Sequence, residues 1–287
     1  MISYDPLLEI ELGPLSVSPH GIFTALGLAV GTAVALPHFR RRGVTNEQVY
    51  EVLIPAVIAA LIGARLVYVV NHLDIYDSVF DLVRIWEGGA SLLGGLAGAL
   101  IVVVVMLRRR QMPILHLLDP VGLGFAVGIA VGRLGDILIA DHLGKPTDFI
   151  LGYVCPSAGT GSPCAAPPGE AVHLTALYDM ALAAGVALVL LGLLLRGGRQ
   201  EQRPGTVFLT FFLLYGTGRF FEGFARVDET HGTGLDGSQW ASLASVLAVA
   251  AFLAWRRRSR RDTVEAVPTA EPDVERATEG RPPERLP

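Results

Sequence analysis

Apolar residues fall along this chain in long unbroken blocks, with neither strand-like alternation nor a narrow helical stripe. Seven stretches, at about 20–38, 51–70, 89–107, 114–139, 172–195, 206–225 and 238–255, reach or approach the roughly 18–20 residues a helix needs to cross a bilayer. In lipid only helices and closed barrels satisfy every backbone polar group, and runs of this length predict helices. Hydrophobic residues fill 51% of the 287 positions and the mean hydropathy is +0.48, so soluble and nucleic-acid-binding roles drop out.

The net charge of −4 says little, but its distribution orients the blocks. Of 23 basic residues all but Lys145 are arginine. They cluster at 40–42, 108–110, 196–203 and 256–261, each time after an odd-numbered block. By the positive-inside rule this predicts an all-α integral membrane protein: a seven-transmembrane-helix bundle with the N-terminus outside and the C-terminus cytoplasmic. No basic segment precedes the first block, which argues against a secretory signal peptide. The membrane domain is expected over residues 1–262, with a small exterior cap from the loop 140–171. Residues 263–287, rich in Pro, Glu and Arg, read as a disordered cytoplasmic tail. Cys155 and Cys164 share the exterior loop, where they form either a disulfide or two free thiols.

Charged groups interrupt the apolar blocks at Arg65, Asp119, Arg133, Asp136, Arg219 and Glu222. A central arginine costs about 2.5–3.5 kcal/mol to insert, against roughly −0.3 to −0.6 for each Leu or Ile, so these groups should face a protein interior or a wet cavity. Tyr215, Arg219, Glu222 and Arg226 follow i, i+4, i+7, i+11 spacing and are predicted to share a helix face. Arg133 and Asp136 are three apart and can touch. Gly124, Gly128 and Gly132, and likewise Gly94 and Gly98, recur every fourth residue and should let helices approach closely. Two readings follow. In one, these charges are internal salt bridges that lock the bundle. In the other, Arg65, Arg133, Arg219 and Arg226 outnumber Asp136, Asp141 and Glu222, and the surplus cations meet in a hollow suited to a phosphate such as a phospholipid headgroup. An arginine-lined transporter is a third class, disfavoured because no internal repeat is visible.

Five stretches in order carry a resemblance: "GARLVYVV" (63–70), "WEGGASLLGGLAGAL" (86–100), "GLGFAVGIAVGRLGDILIADHLG" (122–144), "HLTALYD" (173–179) and "YGTGRFFEGFAR" (215–226). Together with the expected topology they resemble the bacterial prolipoprotein diacylglyceryl transferases. The resemblance implies transfer of the diacylglyceryl group of phosphatidylglycerol to the lipobox cysteine of a prolipoprotein signal peptide, releasing glycerol phosphate, in the bacterial plasma membrane. No cofactor and no metal is implied. By the same resemblance Arg133 is expected at the headgroup phosphate and Arg219 matches a second essential arginine. Arg65, Tyr178 and Tyr215 match supporting positions, and Gly144 closes the signature. Asp136, Asp141, Glu222 and Arg226 join the expected binding surface, with Gly94 and Gly95 of the glycine-rich segment.

The chain also departs from the family pattern. Leu93 stands where a histidine is usual, Asp136 where Asn is usual, and Asp141 where Glu is usual. Gly223 stands where a Glu is usual, with Glu222 one position earlier, and His20 where a Tyr is usual. The thiol base is therefore expected elsewhere, at His20, with His173 and Asp136 as alternatives. A catalytically degenerate paralogue that binds phospholipid or lipoprotein without turnover is the competing expectation.

Overall fold

Each apolar block contains a helix. The computed structural model describes residues 1–13, 15–71, 73, 91–156, 164, 166–196, 203–228, 230–231 and 234–265. Among them are α1 (Pro19–Arg40), α2 (Asn46–Asn71), α3 (Leu92–Arg109), α4 (Ile114–Leu138), α5 (Thr175–Arg196), α6 (Thr206–Glu222) and α7 (Gly237–Glu265). Five of these, α1, α2, α4, α5 and α7, are long and apolar enough to cross a membrane. The chain divides into two units, Met1–Val246 and Leu247–Pro287, the second of which begins within α7. The expected tail beyond residue 265 lies outside the described residues.

Local chemistry sets the helix ends. Pro19 occupies the first turn of α1, where its missing N–H costs nothing. Thr45 and Gln48 form a reciprocal capping box before α2: Gln48 N donates to Thr45 Oγ1 and Thr45 N donates to Gln48 Oε1. Asp236 receives the amides of Ser238 and Gln239 at the start of α7. The N-terminal residue of α6 is preceded by Gly205, which has no side chain to cap with. Asp119 of α4 does so instead: its carboxylate accepts from the backbone N–H of Gly205, Val207 and Phe208 at 3.1, 2.8 and 3.1 Å. This gives a purpose to one of the intramembrane acids that the sequence left without one. Asp119→Ala orphans these buried donors and is expected to cost about 1–3 kcal/mol. A thermal melt in detergent checks it, and an unchanged Tm would mean that other groups serve those amides.

The glycine repeats act as backbone-to-backbone seams. A Cβ on Gly27 would lie 2.4 Å from the carbonyl oxygen of Gly128, and one on Gly31 would lie 2.3 Å from that of Gly124, so α1 and α4 touch through their main chains. The α2–α3 pair repeats the device, with a Cβ on Gly63 falling 2.4 Å from Gly94 O and one on Gly98 falling 2.2 Å from Ala59 O.

Between α4 and α5 the chain builds a small cap. Strands β3 (Leu143–Pro146), β4 (Tyr153–Val154) and β5 (Ala171–Leu174) form an antiparallel sheet with β5 in the middle. The start of the fifth apolar block is therefore a strand and not helix, because residues 171–174 pair on both sides with the loop. The first residues of the chain fasten onto this cap. Ile2 pairs in parallel with Tyr153, Tyr153 OH donates to Tyr4 O at 3.0 Å, Tyr4 OH donates to Ile137 O, and Leu7 N donates to Leu138 O at 2.9 Å. Cys155 and Cys164 are joined by a disulfide. Short hairpins, β1 (Ile10–Leu12) with β2 (Leu15–Val17) and β6 (Thr230–His231) with β7 (Leu235–Asp236), precede α1 and α7.

Candidate functional site

Arg133, in the last two turns of α4, is gripped by two carboxylates. Its Nη1 donates to Asp136 Oδ2 at 2.5 Å, one turn along the same helix, and its Nε donates to Asp179 Oδ2 at 2.6 Å from α5. The other oxygen of Asp136, Oδ1, accepts from His20 Nδ1 at the start of α1. Gly135 makes that reach possible, since a Cβ there would lie 2.8 Å from Pro19 O and 2.9 Å from His20 Cα. Tyr215 of α6 donates its hydroxyl to Asp179 Oδ2 at 3.2 Å. One polar chain thus runs through α1, α4, α5 and α6, and both acids in it are buried, with 2% and 1% of their side chains exposed.

A second group adjoins it at the end of α6. Arg219 Nη1 stands 3.4 Å from Glu222 Oε1, and Arg226 Nη1 stands 3.7 Å from the same oxygen. The phenol of Tyr215 and the carboxylate of Glu222 both lie within electrostatic reach of Arg133 and of Arg219, so the two arginines expected at the phosphate do share one neighbourhood. Arg226 is not on the helix face that spacing predicted. The helix ends at Glu222, a 3-10 turn follows over Gly223–Ala225, and Arg226 is extended. From there its Nε donates to Asp228 at 2.6 Å, its Nη1 donates to Thr175 Oγ1 at 3.3 Å, and its Nη2 sits 3.2 Å from His142 Nδ1. Gly144 lets this segment dock on β3: it bridges with Arg226, and a Cβ on it would lie 2.2 Å from Ala225 O. Lys145 Nζ adds a hydrogen bond to Phe224 O.

The expected surplus of cations does not hold. Asp179 and Asp228 enter the account, and among the described residues Arg133, Arg219 and Arg226 meet Asp136, Asp179, Glu222 and Asp228. Sequence reasoning passes over Asp179 because it ends a motif at the edge of the fifth apolar block. It is the only acid in that block, and the cost of inserting a charge marks it as it marks Arg133. Pairing is nonetheless incomplete. Arg219 Nη1, both oxygens of Glu222 and Asp179 Oδ1 are buried and make no hydrogen bond. Buried polar atoms of this kind cost about 1–3 kcal/mol each when left unsatisfied, and four in one place point to a polar ligand that completes them.

Arg65 is buried on α2, its guanidinium carbon 6.0 Å from the ring centre of Tyr68. Gly94 and Gly95 face α2 across the α2–α3 seam. Tyr178 packs edge-on to Phe149 and His173, and its hydroxyl lies 3.1 Å from His173 Nδ1, which places the alternative base His173 in that aromatic group. The side chain of Leu93 lies outside the described residues. Asp141 accepts the backbone N–H of His142 at 2.7 Å and is partly exposed. Burial pushes the His142 imidazole below its ordinary range, Asp141 opposes that shift, and Arg226 adds to it.

Asp136, Asp141 and His142 bring one potential ligand atom each within 4.8 Å of one another. Asp136 already serves Arg133 and His20, and His142 Nδ1 faces Arg226, so a dication there would sit between two guanidiniums. The arrangement suits an anion with hydroxyl-bearing neighbours better: clustered guanidiniums for the charge, and open carboxylate oxygens for donors.

Comparison with known proteins bears on this chemistry. The sequence pattern described as prolipoprotein diacylglyceryl transferase matches residues 7–255. The phosphatidylglycerol–prolipoprotein diacylglyceryl transferase of Cupriavidus pinatubonensis is 29% identical over 270 residues, covering 90% of this chain and 94% of that protein. Those of Pediococcus pentosaceus and Synechococcus elongatus are 27% and 29% identical, with 89% and 84% of this chain and 91% and 83% of theirs covered.

Proposed function

The chain belongs to the prolipoprotein diacylglyceryl transferase family, and from that premise we propose that it moves the diacylglyceryl group of phosphatidylglycerol onto the lipobox cysteine of a prolipoprotein. The cysteine thiolate attacks the glycerol carbon that bears the phosphate. The carbon–oxygen bond breaks, a thioether forms, and glycerol phosphate leaves. The observation that supports this most is the set of buried atoms on Arg219, Glu222 and Asp179 that make no hydrogen bond, beside Arg133. A phosphate bound there draws Arg219 Nη1 from its long pairing with Glu222 and competes with the two acids for Arg133, while headgroup hydroxyls donate to the carboxylate oxygens that make no hydrogen bond. Charge that builds on the leaving phosphate then meets fixed guanidiniums in a site of low dielectric, where such donors act most strongly. Asp136 and Tyr215 hold this frame; Gly144 and Arg226 close it from the cap side. Arg65, Asp141 and Tyr178 act at its margins, and Gly94 and Gly95 set the helix spacing behind it.

The same reading places seven spans in the bacterial plasma membrane, α3 and α6 included, with the cap outside, residues 1–262 as the membrane domain and a cytoplasmic tail. Arginine clusters after alternate spans support it. The test is complementation of a strain depleted of its own transferase, with thioether formation on a reporter prolipoprotein read by mass spectrometry. Rescue is expected. Correct membrane insertion without thioether product would make the chain a lipid-binding paralogue without turnover.

A further inference from the structure

Asp136 is shared. One of its oxygens holds Arg133 and the other holds Nδ1 of His20. A carboxylate only accepts hydrogen bonds, so Nδ1 carries the proton and the lone pair lies on Nε2. That nitrogen has no hydrogen-bond partner among the described residues, and the His20 side chain is 51% exposed although its partner is buried. His20 is also the second residue of α1, held down by Pro19 and by the Gly135 contact, so its ring is positioned by fixed elements. An imidazole with a buried acid behind it and an open nitrogen in front is the arrangement that makes a general base.

We propose that His20 Nε2 takes the proton of the incoming cysteine thiol, and that Asp136 couples this base to occupation of the phosphate clamp. The inference rests on the transfer reading above. The proton passes from sulfur to Nε2, the thiolate forms the carbon–sulfur bond, and the phosphate ester oxygen departs with its bonding electrons toward Arg133 and Arg219. The charged and titratable groups facing His20 are Asp136, Asp141 and Arg133. Arg133 offsets the charge of Asp136 through its direct hydrogen bond. A bound phosphate draws on Arg133, and Asp136 then acts more strongly on His20 and raises its proton affinity. Lipid binding thereby strengthens the base before the thiol arrives. Asp136 is a positioning residue in this scheme and His20 a catalytic one.

The experiment uses the full-length protein in phosphatidylglycerol vesicles with a synthetic lipobox peptide, and reads kcat/KM against pH. His20→Ala is expected to lose about 100- to 10,000-fold, the usual contribution of a general base, with partial recovery on adding imidazole. In Asp136→Asn the charge that favours protonated His20 is gone. Its acid limb therefore moves to lower pH and its plateau falls, whereas a purely structural loss lowers the plateau and leaves the limb in place. The histidine titration followed by NMR is expected to rise in phosphatidylglycerol relative to phosphatidylcholine vesicles, and to rise less in Asp136→Asn, although vesicle charge acts equally on both. Wild-type activity in His20→Ala overturns the assignment. So does loss without imidazole recovery when the Asp136→Asn limb has not moved. An inactive wild-type protein would overturn the transfer reading, and this inference with it.

Discussion

Arg133→Lys is expected to fold and to lose transfer by at least about 100-fold, comparable to removing one preorganised charge-stabilising donor. Arg133 reaches Asp136 with Nη1 and Asp179 with Nε at the same time, a fork set by the planar guanidinium. An ammonium is a compact point charge on a flexible stem and cannot hold both acids while offering a third direction to a phosphate. Charge is conserved, so the fold survives; geometry is not, so the clamp fails. Arg133→Ala is the harsher change. It strands two acids that are almost wholly buried, and removing one partner of a buried ion pair costs about 3–5 kcal/mol. The two variants therefore separate chemistry from stability. Thioether formation and a thermal melt, measured on both, are expected to show lysine near the wild-type Tm with little product and alanine low in each. Wild-type turnover in the lysine variant would place the phosphate elsewhere.

Gly144→Val is the second large effect. A Cβ at this position meets Ala225 O at 2.2 Å, His173 Cβ at 2.9 Å and Thr175 Cγ2 at 3.0 Å, so there is backbone on one side and packed side chains on the other. The segment after α6 must lift away from β3. Arg226 then loses its place beside Thr175 and His142, and Glu222 and Arg219 follow it. A displacement of about 1 Å at reacting groups is enough for a 100-fold loss, and overpacking of this kind costs about 1–3 kcal/mol. The loss is expected in kcat more than in KM. Gly185→Ala supplies the contrast: nothing lies within 4 Å of its would-be Cβ, and it should behave as wild type. Equal behaviour of the two variants would dismiss the docking of residues 223–226 as a requirement.

Much of this architecture could be read before any coordinates. The blocks became helices because twenty apolar residues in succession have few other stable forms, and the Gly-x-x-x-Gly spacings became seams because only a hydrogen lies between the backbones there. Arg133 and Asp136 touch as their i, i+3 spacing allows. The misreadings came where a local rule met tertiary structure. Residues 172–174 look like the start of a helix but pair as the central strand of the cap. Helical periodicity carried Arg226 onto a face that ends four residues earlier. The count of cations against acids missed Asp179, because no spacing rule connects residue 133 to residue 179, and Asp228, because it lies past the end of α6, two residues beyond Arg226. Asp119 was visible as an oddity, but its purpose was not, since the amides it serves lie more than eighty positions away.

The clasp between residue 2 and residue 153 sets a timetable. While the polypeptide emerges, its leading segment has no seat until four long helices and half the cap have been made, because Ile2, Tyr4 and Leu7 find their partners only at Tyr153, Ile137 and Leu138. Contacts of such sequence separation form late. Nascent chains halted before residue 153 should therefore leave their first residues open to an added protease, and chains halted well past it should resist.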